Sequence, residues 1–151
     1  MTTERFSLDS NVLVYAADGR AGARHSRALQ VLVLAARRDC VLTIQALGEF
    51  FHATTRKQIV PRHDAAAQTR DLLAIFATVA ADAEAFRAAL EGVGQGKHSF
   101  WDGLLIATAA RAGCDFLLSE DMQDGSRFGR LTVLNPFVGD ALPEAVAALL
   151  R

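Results

Sequence analysis

The stretch that most constrains this 151-residue chain is SFWDGLLIATAARAGCDFLLSED, residues 99–121. Residues 101–112 read as a helix that is apolar almost all round, through Trp101, Leu104, Leu105, Ile106, Ala107, Ala109, Ala110 and Ala112. A helix without a polar face belongs in an interior, so the rest of the chain must wrap it. Gly113 stands where a left-handed cap would end the helix. The run Cys114-Asp115-Phe116-Leu117-Leu118 then reads as a short buried strand closed by Ser119-Glu120-Asp121. The helix spans about 18 Å at ~1.5 Å per residue. Residues 115–119 span about 17 Å at ~3.3 Å per residue. A strand returning along its helix therefore brings Asp121 beside Asp102. Two carboxylates meeting at the edge of a buried layer repel each other and lose hydration, so a cation is expected between them.

The remaining chain alternates strands and helices. Residues 5–8 form a first strand, ending at Asp9-Ser10-Asn11, three residues that favour helix caps. Helices follow from Val12 and over 24–38, then a strand over 40–44. A third helix over 45–58 carries Leu47, Phe50 and Phe51 on its apolar stripe. Asp64 is placed to cap a fourth helix running to Phe76, with Leu72, Leu73, Ile75 and Phe76 inward. Residues 77–80 form a strand, and Asp82 caps a helix over 83–92. Segment 92–98 is too glycine-rich to continue that helix. After the central unit, 122–130 is a polar loop, 131–134 a last strand, and 144–151 a short amphipathic helix. Alternation of this kind implies one α/β domain over 1–151 with a mainly parallel sheet.

In such a sheet, ligands bind beyond the carboxyl ends of the strands, where the strand order reverses. Asp9 and Asp121 lie at two such ends, Asp102 opens the helix returning there, and Glu49 lies in the second turn after another strand. Separated by 40, 53 and 19 residues, the four acids are expected to converge. Each has a local alternative: Asp9 as a cap, Asp121 in a turn, Asp102 completing a Ser99 capping box, and Glu49 as a solvated helix residue. Clustered carboxylates with few sulfur or imidazole donors suit a hard cation, Mg²⁺ or Mn²⁺, held partly through water. Such a site can deprotonate a water and clamp a phosphate oxygen during in-line displacement. Lys97 and His98, just before the apolar helix, are candidates for touching a phosphate, or are plain loop residues.

Other classes are excluded or unsupported. No P-loop, GxGxxG or GxSxG is present, and His25, His52, His63 and His98 have no zinc-like spacing. Cys40 and Cys114 read as buried small hydrophobes. No apolar run reaches the roughly 18 residues needed to cross a bilayer. The N-terminus MTTERFSLD lacks an apolar leader, so a cytoplasmic location is expected. Setting four site acids aside from a net charge of −1 leaves a surface of about +3, which permits binding to a polyanion.

With these residues in place, the chain resembles the PIN-domain ribonucleases, specifically the VapC-type toxins of toxin–antitoxin pairs. The likeness rests on LDSNVLVYA (8–16), ALGEFFH (46–52), residues 99–121 and DGSRFGRLTVLNPF (124–137). It implies a PIN-like three-layer sandwich with helices flanking the sheet. Carried over by position, Asp9, Glu49, Asp102 and Asp121 match the family's acidic quartet, and Asn11 and Ser119 match residues that orient the first and last aspartates. Asp124 matches a position that is acidic in some members, a further ligand or a turn residue before Gly125. The resemblance further implies an RNA substrate, a homodimer and a small antitoxin protein that occludes the groove. Basic residues such as Arg20, Arg24, Arg56, Lys57 and Arg127 are expected to contribute to RNA selection. Two other readings stand beside it: a catalytically silent PIN-like scaffold that binds RNA or protein, and a HAD-like phosphatase. The latter normally has an aspartate two positions after its nucleophile, where this chain has Asn11.

Overall fold

The computed structural model describes residues 4–151, so the first three residues of the expected leader-free N-terminus lie outside the described residues. Strand β1 (Phe6–Leu8) leads directly into α1 (Ser10–Ala17), and α2 (Ala23–Ala35) packs on it. Strand β2 (Val41–Thr43) runs into α3 (Ile44–Arg56), which pairs with α4 (Arg62–Ile75). Strand β3 (Ala77–Val79), α5 (Ala83–Gly94), α6 (Phe100–Arg111) and β4 (Phe116–Leu118) follow. The chain closes with β5 (Arg127–Phe128), β6 (Leu131–Leu134) and α7 (Glu144–Leu150).

The four-stranded sheet has the order β1-β4-β6-β5. The β1/β4 and β4/β6 pairs are parallel, and only the β5/β6 hairpin is antiparallel. A second parallel pair, β2/β3, is tied to β1 by a bridge between Phe6 and Cys40. The chain therefore grows from β1 outward through β2 and β3, then returns to grow the other way from β4. The reversal falls between β1 and β4, where an open α/β sheet forms its crevice.

Alternating side chains place different cores on the two faces. Leu118 and Leu134 join Phe6, Leu8 and Val12 in one core, together with residues of α2 and α7. Leu117, Leu131 and Val133 face the other way onto Leu105, Ile106 and Ala109 of α6. A nearly all-apolar helix thus packs between β4 and α5, and its one buried hydroxyl, Thr108, is satisfied within the helix by donating to Leu104 O at 2.6 Å. Cys40 and Cys114 are free and buried, and burial pushes both thiols up, Cys114 to about 12. No helix among the described residues is long and apolar enough to cross a membrane.

Several expectations need correction. Pro61, not Asp64, occupies the cap of α4, where its missing N–H costs nothing; Asp64 lies in the first turn, on the favourable end of the dipole. Leu72 and Phe76 are buried, but Leu73 and Ile75 are exposed, because α4 covers its neighbour with one narrow stripe. Helix α5 continues through Gly92 to Gly94, two residues past its expected end. Trp101 is 62% exposed, and its ring stands edge-on to Phe100 with centroids 5.0 Å apart, outside the buried face of α6. The expected 122–130 loop contains strand β5.

Candidate active site at the carboxyl edge of the sheet

Asp9 ends β1 and caps α1, and its backbone N–H continues the sheet by bonding Leu118 O at 2.9 Å. One carboxylate oxygen, Oδ1, accepts the Ser10 N–H at 2.7 Å. The other, Oδ2, accepts the Ser119 hydroxyl at 2.7 Å and the Asn11 amide at 3.3 Å. Asn11 Nδ2 also reaches Ser119 Oγ at 3.3 Å, and Asn11 Oδ1 receives the Glu120 N–H at 3.3 Å. Ser119 Oγ in turn accepts the Asp121 N–H at 3.2 Å. One small network thus ties the ends of β1 and β4 together. Asn11 and Ser119 are both members of that network.

Asp9 is 5% exposed, yet its pKa is raised. Burial is the largest cause, outweighing the hydrogen bonds from Ser119 and Ser10, and the charges of Asp121 and Asp102 add to it. Donors that ordinarily hold a carboxylate ionised are therefore insufficient here. Asp102 stands in the first turn of α6, whose cap is Ser99; the Ser99 hydroxyl accepts the Asp102 N–H at 3.2 Å. Capping and proximity to the other acids coexist at this position.

Glu49 is exposed on the flank of α3, one turn after the buried Ala46 and on the side away from Leu47. Its carboxyl is pushed up to about 6, first by desolvation and then by the charges of Asp9 and Asp102, with a smaller push from Asp121. The four acids are therefore near enough to act on one another. None is in an ion pair with a Lys, Arg or His among the described residues. No three His, Cys, Asp or Glu side chains among the described residues are gathered closely enough to form a ready coordination shell. Oxygen donors without a counter-charge fit a hard cation held partly through water.

Asp124 behaves differently. It is exposed, its Oδ1 accepts the Asn135 N–H at 2.8 Å, and it does not figure among the charges acting on Asp9 or Glu49. Its turn role is the one the geometry displays.

Lys97, His98 and Arg127 line one cavity of about 610 Å³ between α5, α6 and the β5–β6 hairpin. The His98 ring is seated between two glycines. A Cβ at Gly92 would lie 2.1 Å from its Cε1 and Nε2, and one at Gly103 would lie 2.2 Å from Cε1. Its Nδ1 donates to Ser99 O at 3.0 Å. This explains why glycine-rich 92–96 begins inside a helix.

Two features had no sequence signal. Gln45 Nε2 donates to Trp101 O at 3.0 Å, joining the starts of α3 and α6 beside Glu49. Glu120 accepts Tyr15 Oη at 2.6 Å and Arg24 Nε at 2.7 Å, fixing the residue before Asp121. Both depend on side chains from segments far apart in the chain.

Comparison with known proteins bears on this geometry. Solved structures with the same fold include the Mycobacterium tuberculosis toxin VapC20, which cleaves the sarcin-ricin loop: 17% identity, TM-score 0.60, covering 74% of this chain and 86% of that one. VapBC2 from Rickettsia felis, bound to a DNA fragment from its promoter, has 15% identity and TM-score 0.63 over 87% of this chain and 98% of that one. A toxin–antitoxin complex from Klebsiella pneumoniae has 16% identity and TM-score 0.62, covering 83% and 94%. No curated protein sequence matches the chain. The family model described as PIN domain matches residues 7–128, which include all four acids, Asn11 and Ser119. Since that match spans most of the sequence, the chain belongs to the PIN-domain family.

Proposed function

We propose that this chain, as one PIN-like domain over 1–151, is a divalent-metal-dependent endoribonuclease and the toxin of a toxin–antitoxin pair. The observation that carries the reading is the convergence of Asp9, Glu49, Asp102 and Asp121 at the sheet's reversal point without a cationic partner among the described residues. Mg²⁺ is the proposed cofactor, with Mn²⁺ able to replace it; Asp9, Asp102 and Asp121 hold it, joined by Glu49 directly or through water. Asp124 serves the turn instead. When bound, the cation supplies an activated water and a clamp on the phosphate oxygens. Asn11 and Ser119 keep Asp9 in one rotamer through its Oδ2. The Glu49 carboxyl, near 6 without a cation, can accept a proton close to neutral pH. The fold neighbours that are toxins or antitoxin complexes support an antitoxin partner; a homodimeric, cytoplasmic state belongs to the same proposal and rests on the family resemblance.

Incubation of purified protein with RNA in Mn²⁺ should yield fragments with 5′-phosphate and 3′-hydroxyl ends, and EDTA should stop the reaction. Cleavage that persists in EDTA would remove the metal mechanism. One observation favours a silent scaffold instead: the acids are not preassembled into a coordination shell. Thermal melts separate the readings, because an ion at 100 times its Kd adds about 2.7 kcal/mol to stability. No Mn²⁺-dependent rise in Tm would favour the scaffold.

A further inference from the structure

The cavity beside α6 begins at Gly103, the residue after Asp102, and runs along that helix to Ala110. At ~1.5 Å per residue its floor is about 10 Å long. Its volume of about 610 Å³ falls among small-molecule sites of roughly 300–1,000 Å³. Small side chains on α6 and α5 leave the floor open, and the seated His98 ring forms the end next to the acids. Phe128, half-buried on the hairpin, meets that ring at a centroid distance of 5.9 Å. Lys97 and Arg127 are both exposed, and neither is in an ion pair among the described residues. The wall's one acid, Glu91, accepts from Gln95 Nε2 at 3.4 Å.

We propose that this groove is the path of a single-stranded RNA segment leading away from the scissile phosphate. Lys97 and Arg127 hold its phosphates, and Phe128, braced by His98, offers a stacking surface to a base. The inference rests on the ribonuclease reading and deepens it. A strand cut at the acidic edge must continue past one side of Asp102, and this side presents unpaired cations and an aromatic face. That combination suits single strands, which are held by backbone charge and sequence-tolerant stacking. A protein partner would have to bring its own acids to meet Lys97 and Arg127, whereas a nucleic-acid strand carries a charge on every phosphate.

Binding of a fluorescein-labelled single-stranded RNA to the full chain, followed by anisotropy in EDTA over a KCl series, tests it. Each phosphate contact contributes about 0.7 to the slope of log affinity against log salt for single strands. Lys97→Gln and Arg127→Gln should each flatten the slope by about that amount, and the double variant by about 1.4. Arg70→Gln, exposed on α4 away from the groove, should leave it unchanged. Unchanged slopes in the double variant, with Mn²⁺-dependent RNA cleavage intact in the wild type, would overturn the groove and spare the ribonuclease. Wild-type protein that neither binds nor cleaves RNA would overturn both. A change in oligomeric state by light scattering, without a change in slope, would assign the groove to a protein interface and overturn the RNA path.

Discussion

The two edges of the central sheet handle carboxylates in opposite ways. At the edge where the strands begin, Arg5 Nε bonds both oxygens of Asp39 at 3.2 Å, and Arg130 reaches Asp115 at 3.4 Å. Arg5 also donates to Ala112 O at 2.7 Å, closing the carboxyl end of α6. At the edge where the strands end, Arg24 is paired with Glu120, while Asp9, Glu49, Asp102 and Asp121 meet no cation among the described residues, and the pKa values of Asp9 and Glu49 rise. One edge is neutralised from within the chain. The other carries electrostatic strain that an ion from outside would relieve.

The sharpest way to break that contrast is to neutralise an acid at the strained edge. Asp9→Asn or Asp102→Asn should lower metal-dependent RNA cleavage by at least about a thousandfold, since a catalytic ion supplies several kcal/mol at ~1.36 kcal/mol per tenfold. Asp102→Asn should keep the Tm of the wild type, whereas Asp9→Asn sets an amide N–H against the donors on Ser119 and Asn11 and should lower it modestly. Initial rates and circular-dichroism melts check the two parts. Full activity in both variants would sink the proposed site. Ser119→Ala should act less strongly. Removing the hydroxyl that orients Asp9 Oδ2 should weaken Mn²⁺ affinity about 10–100-fold, read by isothermal titration.

The acidic half of this contrast was expected from the sequence, through periodicity and caps, whereas the paired half, Arg5 with Asp39 and Arg130 with Asp115, was not. An apolar helix with a cap-forming Ser99 and a terminal Gly113 has few ways to fold, and strand ends place Asp9 and Asp121 by length alone. Glu49 was ambiguous for a physical reason: a helical wheel separates core from exterior, and the active edge lies on the exterior side. What sequence could not disclose was non-local. Strand β5 is two residues long and exists through its pairing with β6. Helix α5 runs on through Gly92 because the His98 ring needs the space a side chain would take, so tertiary packing overrides helix propensity. Trp101 kept an apolar pattern yet stands outside the layer that pattern implied.

The compensated edge should respond in the reverse sense. Arg5→Gln removes the pair with Asp39 and the bond to Ala112 O, both partly exposed, so a loss of about 1 kcal/mol is expected. For a domain of this size that is a fall of roughly 2–4 °C in Tm. RNA cleavage at the opposite edge should be unaffected. A Tm unchanged by Arg5→Gln would mean that the paired edge contributes no stability, and a loss of activity at constant Tm would mean that the two edges are coupled.

The smallest effect expected is also the most direct reading of the strain. Glu49 is raised from 4.5 to about 6, so between those values the folded chain holds more proton than the unfolded one. Stability must then fall as pH rises through that window and level off above it. Asp9, also raised, extends the fall toward lower pH. Asp82, lowered by Arg111, contributes the opposite slope, but below its ordinary value of 3.8. Solvent screening at the exposed Glu49 keeps the change modest. Denaturant titrations between pH 4.5 and 7 should show the fall without metal, a smaller fall in Glu49→Gln, and no fall with saturating Mn²⁺, whose charge outweighs the burial and repulsion that raise the pKa. A slope that persists in saturating Mn²⁺ would place the cation elsewhere than among these acids.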